Sequence, residues 1–306
     1  MATPENCPLC KASSAEQAVV TSHVYGSDEK SARAFFHCKS CDVRYQFPRL
    51  TPEEEARFYA AEFESFMASR AGNAGGWEKA EDHILANEPT RKRRMKYIAP
   101  QLNSGASILE VGCSSGFMLL PLSHSEFKCT GVEPSGIFSD FVRSKGISVF
   151  DSLNDLKKSQ PNELFDMILH FFVLEHITEP FEFLKMQLSL LKPGGKIIFE
   201  IPNASDPLYS VYDIPAFERF YWSIAHPWYF NENSIKYLLK QLGVTYKIVL
   251  EQRYDLSNHM VWARDGKPGG MGRFTQTLGE EFEESYKQAL IKTGHCDTLV
   301  GIVTKE

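Results

Sequence analysis

The feature that most constrains the fold is an alternation of apolar strands and amphipathic helices from about residue 105 onward. Short apolar runs such as SILEV, KCTGV and FDMILHF alternate with helical patterns such as GIFSDFVRSKG and NENSIKYLLKQLG. This alternation predicts an α/β fold, in which a mostly parallel sheet carries helices on both faces. Sheets of this kind bind ligands at the carboxyl ends of their strands, which is where we look for a site.

The first strand of this series runs into a loop that suits a nucleoside ligand. The sequence ILEVGCSSG places Glu110 before a turn with glycines at Gly112 and Gly116. A dinucleotide-binding loop would read G-x-G-x-x-G, but Ser114 stands at the middle glycine, and the G-K-[ST] of a phosphate-binding loop is absent. The second strand ends in GVEPS, where Glu133 can accept hydrogen bonds from both hydroxyls of a ribose.

Acids at two neighbouring strand ends also restrict the charge of the ligand. The carboxylate of Glu133 would repel a 2′-phosphate, which excludes NADP-like ligands, and Glu110 can face a cationic group. The loop offers no basic side chain that would hold a phosphate. The pattern therefore favours a nucleoside that carries positive charge, and S-adenosylmethionine fits through its sulfonium and ammonium groups.

Four segments together resemble the motifs of class I S-adenosylmethionine-dependent methyltransferases: ILEVGCSSG, TGVEPS, FDMILHFFVLEHI and LLKPGGKIIFEIPN. They occur in that family's order and spacing, and the resemblance covers about residues 90–306. It implies a Rossmann-like, mostly parallel seven-stranded sheet whose last strand is antiparallel, whereas the sequence alone shows only alternation. It also implies an enzyme that transfers a methyl group from S-adenosylmethionine.

The resemblance assigns the contacts to the methionine and ribose parts of the cofactor. Glu110 would reach the methionine amino group through the loop or a water. The backbone at Gly112, Ser114 and Gly116 would approach the methionine part, and Glu133 would hold the ribose diol. These five positions are the cofactor-binding residues expected at the first two strand ends.

Three further cofactor contacts are expected at the next two strand ends. The resemblance implies that Asp151 and Ser152, in the turn after the third strand, lie near the adenine amino group. His170, near the end of the fourth strand, is expected to touch the ligand.

Methyl transfer to a hydroxyl also requires a base, and two histidines are candidates. We expect an aromatic-rich segment, residues 203–232, to cover the acceptor. His226 in AHPWYF matches a histidine found in members of this family that methylate sugars. In the branch of those enzymes that methylates carbon, an acid precedes this histidine, whereas Ala225 stands here. His176 in VLEHI is the second candidate, with capping of the next segment as its alternative role. Histidine suits proton transfer because its ordinary pKa lies near neutrality.

Two cysteine pairs near the start of the chain predict a metal site. The pairs CPLC and CKSC follow the pattern C-x2-C-x27-C-x2-C, which suits a tetrahedral zinc ion without an open position. The alternative is four unrelated thiols. The predicted ligands are Cys7, Cys10, Cys38 and Cys41.

These patterns divide the chain into three predicted parts. A zinc ribbon is expected over residues 1–50, and a helical connector and linker over residues 51–90. A small-residue break at residues 69–77 lies within that linker. The methyltransferase domain is expected over residues 91–306. A basic run at residues 91–94 favours a solvated helix face over a contact with phosphate.

Charge and composition restrict the partners. The formal net charge is −6 with a pI near 5.9, which argues against nucleic acid because a phosphate backbone requires a basic surface. No window approaches the roughly 18 uncharged apolar residues of a membrane span. The start MATPENCPLC lacks the basic and apolar regions of a secretory signal, so we expect a cytoplasmic protein with reduced thiols.

The ribbon followed by this domain resembles bacterial methyltransferases of sugar, surface-glycan and antibiotic pathways. That resemblance implies a small-molecule acceptor, such as a sugar or a nucleotide-linked sugar. Two alternatives stay open: a non-catalytic protein that uses the ribbon and the nucleoside pocket for binding or assembly, and a nucleic-acid methyltransferase. The acids at Glu110 and Glu133 favour an enzyme, since an inactive pocket would not require them, and the acidic charge disfavours nucleic acid.

Overall fold

The structure is a computed structural model that describes residues 3–28, 31–58, 66 and 79–306. The break predicted at residues 69–77 lies outside these residues. The strands are β1 (Gln17–Thr21), β2 (Ala34–Cys38), β3 (Arg44–Phe47), β4 (Ser107–Val111), β5 (Lys128–Val132), β6 (Ser148–Phe150), β7 (Phe165–Phe171), β8 (Leu191–Pro202), β9 (Trp228–Tyr229), β10 (Thr245–Glu251) and β11 (Thr298–Thr304).

Helices connect most of these strands. The α-helices cover Pro52–Arg57, Ala80–Ala86, Glu88–Ile98, Leu119–Ser123, Gly136–Ser144, Leu153–Ser159, Pro180–Leu190, Pro207–Ser210, Pro215–Tyr221, Glu232–Gln241, Leu256–Asp265, Thr275–Leu278 and Glu280–Lys292. Short 3-10 turns cover Ser14–Glu16, Ala99–Gln101 and Leu174–His176. Among the described residues, no helix combines the length and apolarity that crossing a membrane requires.

Seven strands form one sheet in the order β10-β11-β8-β7-β4-β5-β6. The pairs β4–β5, β4–β7, β5–β6 and β7–β8 are parallel, and β11 runs antiparallel to both β8 and β10. The predicted α/β class and the implied seven-stranded sheet with an antiparallel last strand are confirmed. Every residue of the central strand β4 is buried, as expected when helices cover both faces of a parallel sheet.

Side-chain caps explain where several helices begin. Ser152 accepts a hydrogen bond from the backbone of Asp155, which starts the helix after β6. At the first helix, Thr51 Oγ1 accepts from Glu54 N at 3.2 Å, and the Glu54 carboxylate accepts from Thr51 N at 2.9 Å. These bonds satisfy N–H groups that have no partner within the helix. The first helix, Pro52–Arg57, lies at the start of the segment predicted as a helical connector.

The ribbon forms a second, antiparallel sheet in the order β1-β2-β3-β9. Its last strand comes from the aromatic-rich segment after β8, and Tyr45 pairs with Trp228. Both side chains belong to an apolar core that extends into the seven-stranded sheet. The boundary predicted at residue 50 therefore separates two parts that share a sheet and a core.

The aromatic side chains of residues 203–232 are largely buried against one another and against the ribbon. Trp222 and Tyr229 both pack on Phe35 of β2, with ring centroids 5.2 and 5.5 Å apart. Tyr221 adds a further buried ring in the same cluster. Trp222, Tyr229 and Trp228 therefore attach the segment to the ribbon through an apolar interface, and the predicted cover over an acceptor stays a prediction.

The basic helix Glu88–Ile98 turns two arginines toward the sheet. Arg94 Nε lies 2.8 Å from one carboxylate oxygen of Glu200, and Arg93 lies 2.5 Å from the other. Glu200 is only 1% exposed, so these are buried ion pairs. The basic run at residues 91–94 was expected to form a solvated helix face. Arg93 and Arg94 instead neutralise a buried carboxylate of β8.

Candidate active site

A cavity of about 920 Å³ opens at the carboxyl ends of β4 to β7. This volume falls within the range of small-molecule and cofactor sites. Both polar and apolar residues line it, and most come from the segments that follow these strands. The lining residues are Val111, Gly112, Ser114, Val132, Glu133, Pro134, Ser135, Gly136, Ile137, Phe138, Ser152, Leu153, Asn154, Phe171, Phe172, Val173, His176, Ile177, Phe183 and Met186.

The loop after β4 has a backbone that requires glycine at two positions. Gly112 has a φ of +74°, and a Cβ there would lie 2.7 Å from a methyl group of Val173. Gly116 has a φ of +75°, and its Cβ would lie 2.9 Å from Val142. Ser114 also adopts a left-handed conformation, with a φ of +49°. The loop therefore follows a path that suits glycine, and its backbone at Gly112 and Ser114 faces the cavity.

Glu133 is held at the end of β5 by two backbone groups. Its carboxylate accepts hydrogen bonds from Ser114 N at 2.7 Å and from Ser135 N at 2.9 Å. Glu133 also lines the cavity. The two backbone bonds thus fix the carboxylate in place at the cavity wall, where it can meet a ribose diol.

Replacement of Glu133 by alanine is expected to weaken S-adenosylmethionine binding by about 1.5–3 kcal/mol, the scale for hydrogen bonds to a charged group. This corresponds to a dissociation constant about 10- to 150-fold higher. Calorimetry measures it. Asp151→Ala is the matched control, because that acid follows the next strand but does not line the cavity. Equal affinities of the two variants would show that the ribose is held elsewhere.

Glu110 lies behind the loop rather than on the cavity wall. The side chain is 2% exposed, and among the described residues its Oε2 has no hydrogen-bond partner. Burial raises the pKa of Glu110 to about 8, against the opposing effect of Arg94, and Glu133 raises it further. Glu110 is therefore mostly protonated near pH 7 in the ligand-free protein, and a cationic group nearby would favour its ionised form.

Of the two cofactor contacts predicted after β6, Ser152 and Asp151, the structure places only Ser152 at the cavity. Ser152 lines the cavity, with its hydroxyl engaged in capping the next helix. Asp151 does not line the cavity. Its side chain is 74% exposed and forms an ion pair with Arg143 at 2.9 Å. The predicted contact of Asp151 with the ligand is therefore not supported by its position. Asn154, which sequence reasoning missed, lines the cavity from the first turn of the helix that Ser152 caps.

His170 is also placed away from the cavity. The side chain is fully buried and stacks on Phe199, with ring centroids 5.3 Å apart. Burial lowers its pKa to about 3, so the ring is neutral. Successive side chains of a strand point to opposite faces, and Phe171 rather than His170 lines the cavity. The position of His170 in the core does not support the predicted contact with the ligand.

The structure brings the two candidate bases together. His176 ends the turn after β7 and lines the cavity, and its Nδ1 lies 2.8 Å from the carbonyl oxygen of Ala225. This contact holds the loop before β9 against the turn. The His226 ring consequently lies 4.6 Å from the His176 ring, in an edge-on arrangement. His226 itself is not among the cavity-lining residues, so His176 is the nearer of the two to the cofactor cavity.

The four cysteines of the ribbon converge on one point. The Cys7 and Cys41 sulfurs are 3.7 Å apart, those of Cys10 and Cys38 are 3.6 Å apart, and all four lie within 4.8 Å of one another. A tetrahedral zinc ion with Zn–S bonds of about 2.3 Å places its sulfurs about 3.8 Å apart. The backbone N–H groups of Leu9 and Cys10 also bond to the Cys7 sulfur. These residues therefore fit a zinc ion.

The Rossmann-like sheet and the nucleoside-sized cavity at its strand ends define a class of enzymes that bind a nucleoside cofactor. A family model described as a methyltransferase domain matches residues 82–247, more than half of the chain. The chain belongs to this methyltransferase family, and it is an S-adenosylmethionine-dependent methyltransferase.

Individual relatives are distant. A ubiquinone biosynthesis O-methyltransferase of Xanthomonas euvesicatoria is 26% identical over 171 residues, which cover 53% of this chain and 69% of that enzyme. The enzyme of the same name from Coxiella burnetii is 29% identical over 122 residues, which cover 38% of this chain and 52% of that enzyme. A structure of a SAM-dependent methyltransferase from Archaeoglobus fulgidus is 20% identical with a TM-score of 0.48, covering 73% of this chain and 99% of that one.

Proposed function

We propose that this enzyme transfers the methyl group of S-adenosylmethionine to a hydroxyl oxygen of a small, ring-bearing acceptor. The observation that carries the proposal is the histidine pair beside the cofactor cavity. His176 forms part of the cavity wall, and the ring centroid of His226 lies 4.6 Å from the ring centroid of His176. An imidazole next to the transferable methyl can remove the hydroxyl proton as the new bond forms.

Several residues would hold the cofactor. The bound cofactor supplies an electrophilic methyl group on a positively charged sulfur. Glu133 would accept hydrogen bonds from the ribose hydroxyls, and Ser152 and Asn154 would lie near the adenine. The backbone from Gly112 to Gly116 would approach the methionine part, with Glu110 behind it. The anchoring of Glu133 by two N–H groups supports this arrangement, because it orients the carboxylate before the cofactor binds.

The cavity wall near His176 favours an uncharged acceptor. Val173, Ile177 and Met186 make this part of the wall apolar, and no lysine or arginine is among the described residues that line the cavity. A diphosphate would therefore lack a cationic partner on this wall. The distant relatives named as O-methyltransferases support oxygen as the accepting atom. A hydroxyl on a neutral sugar or phenolic ring fits, and the sugar class agrees with the resemblance of the motifs and ribbon.

The proposal includes a structural zinc ion bound by the four ribbon cysteines. Their sulfur–sulfur distances match the edges of a zinc tetrahedron, and the four thiols leave no position for a substrate. Zinc would therefore stabilise the ribbon and its shared sheet, and it would take no part in methyl transfer.

A panel of acceptors tests the proposed activity. We expect S-adenosylhomocysteine to form only with acceptors that carry a free hydroxyl, and mass spectrometry should locate the new methyl group on oxygen. The panel pairs neutral sugars, nucleotide sugars and catechols with their O-methylated forms as blocked controls, and it includes RNA. Methylation of carbon, of nitrogen or of RNA would contradict the proposal.

A further inference from the structure

Three side chains converge beside the cavity in a set that metals bind. Glu175 and His176 come from the turn after β7, and His226 comes from the loop before β9. One donor atom from each lies within 4.8 Å of the other two. Two imidazoles and one carboxylate are a common ligand set for divalent transition metals, which then keep an open coordination position. This cluster is chemically distinct from the four thiols of the ribbon.

Glu175 gives the strongest indication of a missing cation. The side chain is 2% exposed, and neither carboxylate oxygen has a hydrogen-bond partner on any other described residue. A buried carboxyl group with so few partners is costly, and a coordinated cation would remove that cost. A role of the two histidines as bases does not by itself explain why a carboxyl group is buried beside them.

The surroundings of His176 also suit a metal ligand. The contact of Nδ1 with the Ala225 carbonyl requires the ring hydrogen on that nitrogen, which places the lone pair on Nε2. Histidines that bind metals usually donate their other N–H to a carbonyl or a carboxylate in this way. The backbone of Ala225 therefore orients His176 and positions the loop that carries His226.

We propose that Glu175, His176 and His226 bind one divalent transition-metal cation, such as zinc. The inference rests on the proposed function in one respect: coordination uses the lone pairs that a base needs. Bound zinc is therefore expected to inhibit methyl transfer reversibly, while the binding of S-adenosylmethionine stays unchanged. The enzyme would then have two cation sites, a structural site in the ribbon and an exchangeable site beside the acceptor.

Equilibrium dialysis of the full-length protein against zinc tests the proposal. We expect two zinc ions per chain in the wild-type protein and one in Glu175→Gln, which keeps the shape of the side chain but loses its charge. His124→Ala, which removes an exposed histidine outside the cluster, is the control and should retain two. Cobalt distinguishes the sites, because only thiolate ligands give sulfur-to-metal charge-transfer bands. If Glu175→Gln does not fold, His226→Gln provides the same comparison.

One ion per wild-type chain, or a second ion that persists in Glu175→Gln, would overturn the inference. Inhibition by the second zinc ion, relieved by a mild chelator, would support it. An increase in turnover with the second zinc ion would overturn the expected inhibition, because imidazoles that coordinate the ion could not also serve as the base. A thermal shift with S-adenosylhomocysteine separates the two proposals: its absence refutes the proposed function, whereas the zinc count alone decides the inference.

Discussion

Replacement of His226 by alanine is expected to lower the turnover number by roughly 10²- to 10⁴-fold, the usual contribution of general-base catalysis. The dissociation constant of S-adenosylmethionine should change little, because His226 is not among the residues that line the cofactor cavity. Steady-state kinetics with an identified acceptor measures the first quantity, and calorimetry measures the second. A large fall in turnover at constant cofactor affinity would place the role of His226 in the transfer step.

His124→Ala is the control for this experiment, since that histidine is exposed and distant from the pair in sequence. His176→Ala provides the comparison within the site. Near-normal turnover of the His226 variant, combined with a lower melting temperature, would contradict the assignment. The base would then be His176, or the enzyme would act by aligning acceptor and methyl group without a base.

Replacement of Cys38 by serine is expected to remove zinc and to lower the free energy of unfolding by several kcal/mol. Structural zinc contributes about 10–16 kcal/mol of apparent binding energy in zinc-finger peptides, and one lost thiolate removes a substantial part of it. The effect should extend beyond the ribbon, because β3 pairs with β9 and Tyr45 and Trp228 belong to one core. Metal analysis and thermal unfolding test both parts.

Cys129→Ser is the matched control, because this half-buried thiol lies in β5, outside the cluster of four. It should retain zinc. A wild-type protein that folds normally after complete removal of its metal would contradict the structural role. So would a Cys38 variant with unchanged zinc content, since the four sulfurs could not then be one ligand set.

The sequence predicts those parts of the fold that depend on local patterns. The strands β4, β5 and β7 appear where apolar runs predict them. The sequence also predicts that the loop after β4 lies beside Glu133 at the end of β5. Both follow the carboxyl ends of parallel strands, which lie at one edge of the sheet.

The remaining features depend on contacts between distant segments. Nothing local in the sequence indicates that Trp228 pairs with β3, or that Arg94 turns inward to reach Glu200. The proximity of His176 and His226 involves a long-range contact between a ring nitrogen of His176 and the Ala225 carbonyl. His170 was assigned to the site from its place near a strand end, but the alternation of side chains in β7 directs it into the core.

The most direct test of the account is a calorimetric titration of the zinc-loaded protein with S-adenosylhomocysteine. We predict binding of about one molecule per chain and a rise in melting temperature that grows with ligand concentration. The Glu133→Ala variant should bind more weakly under the same conditions. If the folded wild-type protein gives no heat of binding and no thermal shift, the assignment of the cavity to the cofactor is wrong, and the proposed methyl transfer is wrong with it.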